Sequence, residues 1–165
     1  MWIEILQTGA LATLPLVEQR LAIPVGYFSF ELPIGVAIFT GTFFNAVSVA
    51  IVLWLWPIIA KFCAKRSPFF DRILQKVFAR TRKKHSKKME IWGDIFLIFF
   101  VALPIPGSGG WSGSLVAWLF GVPYRRAVWL ITGGLVIGGL IVGGLTAGIG
   151  GVINFFNEAV SDVIL

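Results

Sequence analysis

Cysteine and histidine are nearly absent from this chain, which has one of each, Cys63 and His85, in 165 residues. A lone cysteine excludes an intrachain disulfide and a thiolate-based metal site, and His85 lies in a basic run with no second ligand beside it, so no metal is expected. Charge is scarce too, at 13% of residues against 57% hydrophobic. With a mean hydropathy of +0.87, the chain is too apolar for a soluble domain of this size and reads as an all-α polytopic membrane protein. Its opening, MWIEILQTGALATL, has no basic n-region and carries Glu4, so it reads as mature sequence and not as a cleaved signal. No enzyme chemistry or cofactor is expected either. Ser108, Ser112 and Ser114 have no histidine near them in sequence, and no nucleophile, base and orienting group occur together.

The formal net charge is +6, yet eleven of the fourteen Lys and Arg residues lie between Lys61 and Lys88. In a membrane protein such a cluster is first a cytoplasmic topology signal, so nucleic acid is not an expected partner. Ser67-Pro68 followed by Asp71 resembles a helix start, and Phe69, Phe70, Ile73, Leu74, Val77 and Phe78 fall at helical spacing. This predicts an amphipathic helix on the inner leaflet, with Arg82 to Lys88 either binding anionic headgroups or acting as a solvated topology determinant.

The most informative stretch is Phe100 to Val122, FVALPIPGSGGWSGSLVAWLFGV. Pro104, Pro106, Gly107, Ser108, Gly109 and Gly110 cannot continue a helix, because proline removes a donor and clashes with the preceding turn. Ile95 to Tyr124 holds thirty residues without a charge, and Arg125 and Arg126 follow. Two full crossings would need about 40 residues, so a re-entrant hairpin is predicted: in over Ile95 to Leu103, broken over Pro104 to Gly110, out over Trp111 to Phe120. Exposed backbone at that depth requires protein cover or a wet cavity.

The N-terminal region predicts a similar hairpin. Ile5 to Val17 and Leu21 to Phe30 are too short to cross, and Pro15, Pro24 and Gly26 are expected around the tip. Ile34 to Ala60 is the first full span and Ala127 to Gly151 the second. In the first, Gly41, Asn45 and Ser48 share a stripe that reads either as close helix packing or as the wall of a polar pathway. In the second, the pairs Gly134 and Gly138, Gly139 and Gly143, and Gly144 and Gly148 rotate around the helix, which predicts close packing on several sides or a capacity to bend. The tail from Val152 is expected to be an acidic amphipathic helix on the outer surface.

The resulting architecture is an inverted repeat of re-entrant helical hairpin plus transmembrane helix. Residues 1–60 form the first repeat, 61–92 the cytoplasmic loop, 93–151 the second repeat and 152–165 the tail, in a single membrane domain with both termini outside. Inverted repeats with broken helices near the midplane are typical of secondary transporters. Glu18 and Arg20 lie by the first tip, where charge is costly unless paired or wet, so Glu18 is a candidate proton carrier, a structural ion-pair partner or a residue at the outer interface. Arg20, and less directly Arg125, are candidates for an anionic headgroup; Arg125 and Arg126 also fit as topology anchors. The candidate pathway is thus Glu18, Arg20, Pro24, Pro104, Pro106, Gly107, Ser108, Gly109 and Arg125. Four membrane elements enclose little volume, which favours a homo-oligomer surrounded by membrane lipids.

PLVEQRLAIPVG and LPIPGSGGWSGSLVAWLFG resemble the small multidrug export protein family. GVPYRRAVWLITGG resembles a helix start in the wider DedA superfamily, which includes lipid-scrambling proteins with a VTT domain. The likeness covers most of residues 10 to 150 apart from the basic loop. It implies two facing re-entrant hairpins in the inner (plasma) membrane and a flippase or transporter moving lipid carriers, phospholipids or drugs with proton-motive force. Glu18 and Arg125 or Arg126 match the embedded acids and arginines of that superfamily. A non-transporting, lipid-binding scaffold is the alternative.

Overall fold

The computed structural model describes the backbone of residues 1–66, 87–105 and 107–164, and side chains over 1–62, 91–105 and 107–152. The expected amphipathic helix after Ser67, the run Arg82 to Lys88 and Pro106 lie outside those side chains. Among the described residues there are six helices and no strand: α1 (Trp2–Thr13), α2 (Glu18–Phe28), α3 (Ile34–Arg66), α4 (Lys87–Ala102), α5 (Gly110–Leu119) and α6 (Tyr124–Ile164).

Two of these helices are long and apolar enough to cross a bilayer, over Ile34–Phe62 and Tyr124–Val152. The other four are short and joined in pairs across breaks. Leu14 to Val17 separates α1 from α2, and Leu103 to Gly109 separates α4 from α5. In the second break Pro104 ends α4 by withholding the amide that the next helical turn needs. Gly107 then turns the chain at φ 87, a left-handed conformation that glycine adopts without steric cost.

The first break is tighter than the sequence predicts. Pro24 and Gly26 are not at a tip; both lie inside α2. Pro24 costs the helix one bond, to the Arg20 carbonyl, but its neighbour Ile23 is fully buried and packing holds the helix together. Gly26 serves contact, since a Cβ there would lie 3.0 Å from the Thr8 side chain of α1. Other boundaries move as well. The first span runs on through Pro57 to Arg66, and α4 begins at Lys87 within the expected loop. The tail is not a separate helix, because α6 continues unbroken through Gly150 and Gly151. Gly150 is again a contact glycine, with the Tyr27 ring 2.9 Å from where its Cβ would stand.

Packing is crossed between the halves. The α1–α2 pair lies on α3, and α4 and α5 lie on α6; in addition α2 reaches α6 and α5 reaches α3. One core joins Val49 and Leu53 of α3 to Leu97, Val101, Ala117, Ile131 and Leu135; a smaller one joins Ile23, Leu32, Ala37 and Val142. The outward faces stay apolar: Phe39, Ile51 and Trp54 on α3 and Trp129 and Leu140 on α6 are exposed, as a lipid-facing surface requires.

The glycine pairs of α6 do point in different directions. A Cβ on Gly134 would stand 2.8 Å from the Ile98 carbonyl oxygen, and one on Gly138 would stand 3.1 Å from that of Ala102, so this pair brings α6 against the backbone of α4. Gly139 and Gly143 face Thr42 and Ile38 of α3, whereas Gly144 and Gly148 meet nothing. Gly134→Ala is therefore expected to lower stability by about 1–3 kcal/mol, the usual cost of overpacking. Gly144→Ala should leave stability unchanged or raise it by up to about 1 kcal/mol through helix propensity. Thermal unfolding of the two variants in detergent compares them directly.

Candidate functional site: a clasp between the two breaks

Glu18, Gln19 and Arg20 open α2 and reach across to the second half of the chain. Glu18 takes φ 48, unusual for a residue with a side chain, and such a conformation persists where surrounding contacts fix it. Its carboxylate is 5% exposed and Oε1 accepts the Trp111 N–H at 3.1 Å, with the Gly110 amide alongside. Gly110 and Trp111 begin α5, where amides lack intrahelical acceptors and the helix dipole favours negative charge. No side chain of its own caps α5, so Glu18 caps it from another helix. Gly109 leaves the space, because a Cβ there would coincide with the Glu18 carboxylate.

Arg20 does the complementary work at the end of α4. Its guanidinium donates to the Leu103 carbonyl at 2.7 Å, to the Ile105 carbonyl and to Ser108 Oγ at 3.1 Å. The Ser108 hydroxyl lies 2.9 Å from both of those carbonyl oxygens. A cation thus sits against carbonyls released by the break, and an anion against amides released by the next helix. Each charge meets the helix end of opposite polarity. Gln19, between them, donates from Nε2 to the Leu135 carbonyl of α6 at 2.7 Å.

Of the residues singled out by sequence, Glu18, Arg20, Ser108 and Gly109 meet in this clasp, and Pro104 and Gly107 shape the loop that supplies it. Pro24 lies one turn further along α2, outside the clasp. Arg125 is exposed at the start of α6, roughly 15 Å along the helix from Leu135, and contributes no contact to the clasp. Its neighbour Arg126 pairs with Asp94 of α4 through Nε at 3.0 Å and Nη2 at 2.5 Å. Gln19 and Asp94 escaped the sequence reading. An uncharged amide gives no topology signal, and Asp94 stands just before the uncharged run. Asn45 is fully buried and the Ser48 hydroxyl donates to its carbonyl at 3.0 Å, so the polar stripe of α3 faces inward. Trp56 of α3 donates to Ser114 Oγ of α5 at 3.0 Å, a further link between the halves. Among the described residues no group of three His, Cys, Asp or Glu could hold a metal ion.

Two helices of spanning length, with Glu18 buried and Arg20 half-buried between interrupted helices, fit a helical membrane protein of the export type. The chain belongs to the family described as "Putative small multi-drug export protein", whose model matches residues 18–141, from the first clasp residue to the middle of α6. No curated protein and no solved structure matches the chain.

Proposed function

We propose that the protein is a small transporter or flippase for an amphiphilic substrate, in which the clasp opens and closes as access alternates between the two membrane faces. The observation that carries this is the insertion of Glu18 and Arg20 from one interrupted helix pair into the break of the other. Bonds of this kind hold two halves in register and still exchange for water or a substrate headgroup when the halves part, which apolar packing does not do. In this reading α1–α2 and α4–α5 are re-entrant hairpins of an inverted repeat. The crossed contacts of α2 with α6 and of α5 with α3 support it. The basic segment lies in the cytoplasm and both termini outside the inner membrane. α6, at 41 residues roughly 60 Å long, exceeds the bilayer core and projects beyond it.

An anionic amphiphile such as a phospholipid or a lipid carrier is the leading substrate, because Arg20 offers several donors in a fixed fork; a cationic drug comes next. Glu18 is the candidate for proton coupling. The chain acts as a transporter and not an enzyme, without a cofactor, as a homo-oligomer among membrane lipids. The test is reconstitution into liposomes with labelled lipid. Headgroup movement that responds to a pH gradient is expected, and no movement with or without the gradient would leave the lipid-binding scaffold as the better reading. Glu18→Gln keeps the shape and removes the charge, so it should abolish the pH response; an unchanged response would reduce Glu18 to a structural cap.

A further inference from the structure

Next to the clasp, four buried side-chain atoms have no protein partner: Gln19 Oε1, Thr42 Oγ1 and both Oδ1 and Nδ2 of Asn45. Gln19 is 2% exposed and Asn45 fully buried. Buried polar atoms in native proteins are nearly always satisfied, and a cluster of exceptions calls for a bound partner. These atoms lie close together. Thr42 and Asn45 stand three residues apart on one face of α3. The Gln19 Cβ lies 3.7 Å from the Cβ position of Gly41, on the neighbouring turn. Gly139 of α6 faces Thr42 Oγ1 directly and Gln19 Oε1 at 3.6 Å from its Cβ position. Asn45 Oδ1 lies 3.5 Å from the Cβ position of Gly110, the residue whose amide stands beside the Glu18 carboxylate.

The donor and acceptor inventory limits what could fill the site. Gln19 Nε2 donates to the Leu135 carbonyl, which fixes Oε1 as the end left over, an acceptor. Asn45 brings one acceptor and one amide donor whichever way its side chain is turned, and Thr42 brings a hydroxyl that does both. A cation would confront the Asn45 NH2 and an anion would confront two amide oxygens. A neutral group that donates and accepts satisfies all four atoms, and water does so in the least space. We infer that Gln19, Thr42 and Asn45 hold internal water between α2, α3 and α6, adjoining the α5 end that Glu18 caps. The site stands whether or not the chain transports lipid. Where the halves do separate, it provides water at the point where the Glu18 carboxylate and the α5 amides lose each other.

Water-edited solid-state NMR on protein with labelled asparagine, glutamine and isoleucine, in liposomes of phosphatidylcholine and phosphatidylglycerol, tests this without a substrate. The Asn45 side-chain amide should receive magnetisation from water several-fold faster than the backbone amide of Ile131, which is equally buried but in the apolar core. Build-up at Asn45 no faster than at Ile131 would overturn the inference. Thr42→Val keeps the shape of the side chain and removes its hydroxyl, so it should slow the transfer to Asn45 and to Gln19 together. A folded Thr42→Val protein with unchanged transfer at both would overturn the shared site. Gly139→Ala, whose methyl group would enter the space in front of Thr42, should suppress the same two signals and provides a second route to either result.

Discussion

Gly109→Ala is expected to cost about 3–5 kcal/mol, the range for a buried charge deprived of its partners. The methyl group would occupy the place of the Glu18 carboxylate, so either the side chain or the α5 end must move and the Trp111 N–H loses its acceptor. The conformation of Gly109 is not the reason, because its φ of −87 suits any residue. Glu18→Ala should therefore offset much of the loss. In the double variant the methyl group enters vacated space, and the coupling between the two positions should reach about 0.5–3 kcal/mol, as for residues in direct contact. Unfolding of the four proteins in mixed micelles gives the cycle. Strict additivity would mean that the carboxylate does not occupy that space in the membrane.

Arg20→Met comes second, because it keeps the length of the side chain and removes every donor. The Leu103 and Ile105 carbonyls and Ser108 lose a charged partner, and Glu18 loses the nearest positive charge. A hydrogen bond to a charged group contributes about 1.5–3 kcal/mol, and since Arg20 is half-buried the lower part of that range is expected. Under the proposed function the larger effect is on transport, with movement of an anionic lipid probe reduced to the background of empty liposomes. Arg20→Lys should restore part of the stability and little of the transport, since a single ammonium cannot span three acceptors with the geometry of a guanidinium. Wild-type transport rates in Arg20→Met would remove Arg20 from the pathway.

The second break was legible because its chemistry is local. Pro104 and the glycines after it end a helix whatever surrounds them, and helices flank the break close to where the pattern puts them. The first was legible only as two short apolar runs. Pro24 and Gly26 carry the same chemical signature as a turn, but burial of Ile23 and the contact of Gly26 with Thr8 outweigh the one bond that Pro24 gives up. Gly150 misleads in the same way, since a glycine that admits a tyrosine ring and one that ends a helix read alike. Charge made Glu18 and Arg20 conspicuous, yet nothing local indicates which helix end each would meet. Gln19 and the unpaired atoms around Asn45 depend on contacts between residues far apart in sequence, which composition and periodicity do not encode.

Those separations also bear on how the chain is made. The partners of Glu18, Gln19 and Arg20 lie between 83 and 116 residues downstream. At a synthesis rate of about 5–20 residues per second, the α1–α2 pair waits roughly 4–20 s before the segment whose amides and carbonyls meet Glu18 and Arg20 has been translated. Throughout that interval Glu18 and Arg20 have no partner from the second half, in a setting where charge resists entry into lipid. The α1–α2 pair is thus expected to remain at the interface or under the cover of the insertion machinery until α4, α5 and the first turns of α6 emerge. Insertion of the N-terminal residues then becomes a late event, completed by the C-terminal half.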